Sequence, residues 1–199
     1  IREILVQAEE RFGPEDAVRY KIGKHEIETK SYSQLRRDSE SFSRAVEALG
    51  QQEKHIAVIG ATSYYWLTAY FGIVNSGSVA VPLDASLPAE EVCELLDRAD
   101  VTMLVLDEIR GDVAAIVEER CPKLKVLVSM QKEEHDGRWL SMERLLRDYE
   151  SGFSYEPSPD QLCTIMYTSG TTGKSKGVML THRNTVSYTH LTLPTNSRV

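Results

Sequence analysis

The 199-residue chain is 41% hydrophobic and 27% charged, the balance of a globular protein with a packed core rather than of a disordered segment. Its formal net charge of −7 repels nucleic-acid phosphate at long range and weighs against a polybasic membrane anchor. The three cysteines, Cys93, Cys121 and Cys163, are far apart and lack CxxC spacing, which argues against a disulfide framework or zinc site and fits the reducing cytoplasm.

In chain order, Ile1, Ile4, Leu5, Ala8 and Phe12 recur at helical spacing until Gly13-Pro14 stops the pattern. Ala17–Thr29 reads as two short strands around a turn at Gly23. Ser33 is placed to cap a helix carrying Leu35, Phe42, Val46 and Leu49, ended by Gly50. The run His55–Ile59 is apolar and β-branched, suited to a strand buried on both faces. Ser63–Asn75 predicts a helix. Its apolar run, about Tyr64–Val74, is shorter than the roughly 20 residues that span a bilayer, and no signal-peptide pattern is visible.

The alternation continues. Strands are predicted at Val79–Val81, Thr102–Leu106, Leu124–Val128 and Leu162–Tyr167. Helices are predicted at Pro88–Ala99, Asp112–Arg120 and Ser141–Tyr149. Ser151–Pro159 reads as a polar linker. Repeated β–α alternation implies an α/β fold, with a mostly parallel sheet flanked by helices.

The segment richest in chemistry is Tyr167–Gly177, YTSGTTGKSKG, directly after an apolar strand. Its glycines let the backbone turn tightly and bring N–H groups close to a ligand. The hydroxyls of Thr168, Ser169, Thr171, Thr172 and Ser175 can donate to phosphate oxygens, and Lys174 and Lys176 supply positive charge. Ligands of open α/β sheets bind beyond the carboxyl ends of the strands, where this loop lies. A flexible linker is the bland alternative, but linkers rarely carry paired lysines between two apolar strands. A Walker loop, GxxxxGK(S/T), is a near miss: Thr168 stands where glycine is needed, and Gly177–Thr181 reads as a returning strand rather than a helix.

The longer stretch Tyr167–Asn184, YTSGTTGKSKGVMLTHRN, resembles the phosphate-loop signature of the AMP-forming adenylating superfamily, which contains acyl-CoA synthetases, luciferases and peptide-synthetase adenylation domains. The usual proline before the second lysine is Ser175 here. Tyr32-Ser-Gln-Leu35 and FGIVNSGSVAVPLD, Phe71–Asp84, resemble two further family segments, so the likeness covers roughly residues 1–186. The resemblance implies an incomplete N-terminal domain of the adenylate-forming synthetase fold. It also implies ATP, Mg²⁺ and a carboxylic acid as reactants, with coenzyme A as co-substrate. Thr168, Ser169, Thr171 and Thr172 would then bond the β- and γ-phosphates. Gly170 and Gly173 would allow close backbone approach, and Lys174 and Lys176 would neutralise charge. The first hundred residues look closest to bacterial long-chain fatty-acid–CoA ligases. Ala80 and the openness expected of Gly77–Ala80 lean the same way, because peptide synthetases usually carry an aromatic there. An amino-acid-adenylating domain, a Walker-type NTPase and a non-catalytic nucleotide-binding or interaction module are the rivals.

The remaining polar groups have plain readings. His25, His135 and the Lys132–Asp136 segment are expected in solvent, and His55 at a strand edge. His182 either caps the next helix or approaches nucleotide. Tyr64, Tyr65, Trp66 and Phe71 are expected to pack, and Glu90, Glu91 and Glu94 to complement a helix start. The family's groups for ribose, for Mg²⁺ and its C-terminal lysine have no counterpart here. The fragment alone is therefore expected to be inactive, with peripheral membrane contact left open for the whole protein. Ser187–Val199 lacks a helical period, is broken by Pro194, and resembles translated adaptor read-through, so it is expected to be non-native.

Overall fold

The computed structural model describes residues 1–22, 26–132, 134–135, 137–168 and 175–191. The predicted turn at Gly23, His25, loop residues 169–174 and residues 192–199 lie outside them. Helix α1 (Arg2–Phe12) leads into an antiparallel pair, β1 (Asp16–Ile22) and β2 (Glu26–Ser31), and then into α2 (Tyr32–Ala48). The cap of α2 is Ser31, not Ser33: the Ser31 side chain accepts from the Gln34 amide, and β2 passes directly into the helix. Ser33 instead donates its amide to Gly13.

A seven-stranded sheet follows. Its strands are β3 (His55–Ile59), β4 (Val79–Leu83), β5 (Val101–Leu106), β6 (Val126–Ser129), β7 (Trp139–Ser141), β8 (Leu162–Thr168) and β9 (Lys176–Thr181). Their spatial order is β7-β6-β5-β3-β4-β8-β9, and every pairing is parallel except β8–β9. The connecting helices are α3 (Tyr64–Asn75), α4 (Ala89–Arg98), α5 (Gly111–Arg120) and α6 (Met142–Asp148), and α7 (His182–Leu191) follows β9.

The period-2 rule sorts the strand residues to two cores. Ala57, Ile59, Val81, Leu104 and Leu127 face α4 and α5. Ile56, Val58, Ala80, Met103 and Val105 face α2, α3 and α6. Burying each such side chain is worth about 1.5–3 kcal/mol for the larger ones, which is why the β-branched runs appear at strands covered on both faces. Helices α2 and α3 cross closely at Gly72, where an added Cβ would stand 2.8 Å from the Phe42 ring. Tyr64 is buried and stacks on Tyr20 of the β1–β2 pair, and Trp66 stacks on Tyr70, so the aromatic helix packs as expected.

Three expectations need correction. Gly77–Ala80 is not open: Ser78, Val79 and Ala80 are buried, and the Tyr155 ring lies against Gly77. Ser151–Pro159 is a strap rather than a free linker, since Phe153 stacks under Arg2 and Ser154 bonds Glu47. The helical stretch after the loop reaches Leu191, so the backbone of residues 187–191 is helical despite its weak apolar period. In addition, β4 runs through Pro82. This is tolerated because β8 pairs with β4 only at Ala80↔Thr164.

Candidate phosphate site at the β8–β9 turn

Strand β8 begins in the core and ends in solvent. Cys163, Thr164 and Ile165 are buried, whereas Met166 is 47% exposed and Thr168 is exposed. The buried half is fixed by the Tyr70 hydroxyl against Thr164 Oγ1 at 2.9 Å and by Gln161, whose Nε2 donates to the Gly77 carbonyl at 3.1 Å. Because β8 is parallel to β4, its exposed end lies on the carboxyl edge of the parallel sheet, the edge where α/β folds place their ligands.

Strand β9 returns antiparallel. The register ends with Tyr167↔Gly177 and Thr168↔Lys176, the last rung of the ladder before the connecting segment. The reading of Gly177–Thr181 as a returning strand is therefore met, one residue early. Of the expected phosphate-binding residues, Thr168 and Lys176 are brought opposite each other, both exposed. Ser169, Gly170, Thr171, Thr172, Gly173 and Lys174 lie outside the described residues. A hydroxyl and an ammonium at the neck of a Gly/Ser/Thr/Lys loop form a donor set suited to a polyphosphate. Among the described residues no group of three or more His, Cys, Asp or Glu side chains could hold a metal ion. Nor is any helix there long and apolar enough to cross a membrane.

His182 settles away from the loop. It follows the far end of β9, six residues from Lys176, or roughly 20 Å at about 3.3 Å per strand residue. The cap of α7 is Thr181: its Oγ1 accepts from the Asn184 amide at 3.2 Å, and Asn184 Oδ1 accepts from the Thr181 amide at 3.1 Å. His182 is 5% exposed, and its Nε2 has no hydrogen-bond partner among the described residues. Burial, with the nearby Ile1 amine as a lesser cause, pushes its pKa down to about 4. It lines a cavity of about 520 Å³ with Ile1, Val6, Pro157 and Val186.

Sequence reasoning missed Arg98, whose Nη1 donates to the Ser175 carbonyl at 3.1 Å. An arginine in the last turn of an amphipathic helix reads as a solvated dipole partner, and only the fold brings it to the loop. His135 is exposed as expected, yet its Nδ1 accepts from the Ser141 amide at 2.9 Å.

Three curated relatives share comparable identity. A substituted indenyl-propanoyl:CoA ligase of Mycobacterium tuberculosis is 30% identical over 72% of this chain and 30% of its own. A D-alanine–D-alanyl carrier protein ligase of Listeria monocytogenes is 30% identical over 80% and 29%. The fatty acid–acyl-carrier-protein ligase ScoC of Streptomyces coeruleorubidus is 31% identical over 78% and 29%. The chain thus spans about 30% of the length of the curated relatives it matches. The crystal structure of the anthranilate CoA ligase AuaEII superposes with a TM-score of 0.78 at 21% identity, covering 92% of this chain and 34% of that one, which supports the fold. Residues 6–198 match the AMP-binding enzyme family, and with more than half of its length so matched the chain belongs to that family.

Proposed function

We propose that the whole protein uses ATP to activate a carboxylic acid, a fatty acid in the first instance, as an acyl-adenylate and then passes the acyl group to the thiol of coenzyme A. The observation that carries this reading is the rung Thr168↔Lys176, which closes a Gly/Ser/Thr/Lys loop on the carboxyl edge of the sheet in a member of the AMP-binding enzyme family. In the reaction, a carboxylate oxygen bonds the α-phosphorus while the bond to the bridging oxygen breaks, and the electron pair leaves on pyrophosphate. The thiolate then attacks the acyl carbon and AMP departs. The residues of this chain serve the leaving group: hydroxyls at 168, 169, 171 and 172 donate to the β- and γ-phosphates, while Lys174 and Lys176 offset the charge that develops there. Glycines 170 and 173 admit the close approach of backbone N–H groups. Mg²⁺, when bound, would neutralise phosphate charge.

The acid and the acceptor are the finer part of the proposal. The relatives' names include a fatty acid, D-alanine and an indenyl propanoate, with both coenzyme A and carrier proteins as acceptors. The fatty-acid reading rests on the look of the first hundred residues and on the name of one relative. A cytoplasmic setting accords with the cysteine usage, and Ser187–Val199 is proposed to be foreign sequence. The test is product analysis on the chain extended with its native downstream sequence, supplied with ATP, coenzyme A and acids of graded chain length. Formation of AMP and long-chain acyl-CoA is expected. Preferential activation of D-alanine or another amino acid would overturn the fatty-acid assignment, and an uninterrupted genomic frame through Val199 would overturn the foreign tail.

A further inference from the structure

On the return side of the phosphate loop, Ser175 stands where the resembling signature carries proline. A proline ring would hold the backbone there near φ −65° without help from a neighbour, at about the value all prolines share. Serine has no such restraint. The fold supplies a different one: Arg98 Nη1 donates to the Ser175 carbonyl at 3.1 Å. Arg98 is the last residue of α4, and α4 is locked to the sheet by the buried side chains of Val92, Leu95 and Leu96. The guanidinium is therefore presented from a rigid element. Its positive charge also opposes the rise that burial imposes on the Tyr167 phenol of the outgoing strand. Glu91 and Glu94 line the same crevice as Arg98 and Ser175, about 450 Å³ in volume, but no ion pair joins them to Arg98 among the described residues. The hydrogen-bond partner of the guanidinium is the loop backbone.

We propose that Arg98 is a positioning residue for the phosphate loop, fixing the Ser175 carbonyl and thereby the direction in which Lys176 enters β9, in place of the absent proline. The effect on nucleotide rests on the phosphate-site reading given above; the clamp itself does not. An arginine–carbonyl bond at an exposed site carries a modest effect, so changes of about two- to fivefold are expected.

The test uses the chain extended with its native downstream sequence and, in that background, the variants Arg98→Ala, Arg98→Lys, Ser175→Pro and the double variant Arg98→Ala/Ser175→Pro. Amide hydrogen exchange of peptides spanning Ser175–Met179 reads the clamp, the melting temperature reads global folding, and binding of a fluorescent ATP analogue reads the site. Arg98→Ala should speed exchange and weaken binding about two- to fivefold at an unchanged melting temperature. Arg98→Lys should be intermediate, and the double variant should return to the Ser175→Pro value. Unchanged exchange in Arg98→Ala, or a double variant that proline does not rescue, overturns the clamp. If the parent chain binds no nucleotide, the phosphate-site reading falls, and the exchange data still decide the clamp.

Discussion

Thr168 and Lys176 face each other across the last rung of the antiparallel β8–β9 pair in the seven-stranded sheet. The rung holds a hydroxyl and an ammonium at the neck of the loop, on strands whose exposed halves contribute little to the core. Function and stability should therefore separate at these positions. Lys176→Ala is expected to weaken ATP binding about tenfold or more, the scale of one charge-assisted hydrogen bond, and Thr168→Ala by less. Neither should shift the melting temperature appreciably. Titration with a fluorescent ATP analogue beside a thermal melt checks this, and a large loss of stability in either variant would contradict it.

Gly77 is the opposite case. It adopts φ +84°, and an added Cβ would stand 2.6 Å from the Tyr155 ring. Gly77→Ala must pay both for left-handed backbone and for overpacking, about 2–4 kcal/mol together. Urea denaturation should show that loss. In the Tyr155→Ala background the same substitution should cost less, because only the backbone strain remains.

The neutral, buried His182 gives the fold a pH dependence with a defined sign. Its pKa is pushed down to about 4 by burial and by the Ile1 amine, against about 6.5 in an unfolded chain. Between those values the unfolded state binds the extra proton, so stability is full above about pH 6.5 and falls as the pH drops through 4. The part owed to this group is at most about 3 kcal/mol. Chemical denaturation from pH 4 to 7 should show a shallower slope for His182→Gln than for the parent; equal slopes would contradict the assignment.

Much of this was legible in the sequence because the signals were redundant. His55–Ile59 and Thr102–Leu106 are short apolar runs suited to a doubly covered sheet, and Ser63 and Ser141 cap helices where the pattern places them. What was missed depends on tertiary contact. Ser31 and Ser33 are equivalent caps until β2 fixes where the helix begins. Trp139–Ser141 is too short to show a period, and it is a strand because β6 pairs with it. Gly77–Ala80 reads as open because nothing local announces that Tyr155, 78 residues later than Gly77, packs there. The chemistry proposed for the site rests on the loop's residue types, while the contact of Arg98 with Ser175 could be found only from the fold.

The most direct test of the account is acid-dependent exchange of labelled pyrophosphate into ATP, measured on the chain extended with its native downstream sequence, on its Lys176→Ala variant and on the 199 residues alone. Exchange should require a carboxylic acid, fall about tenfold or more in the variant, and be absent from the 199-residue chain. Acid-independent release of inorganic phosphate, or exchange untouched by Lys176→Ala, would contradict the assignment of the β8–β9 loop to the pyrophosphate end of an adenylate-forming site.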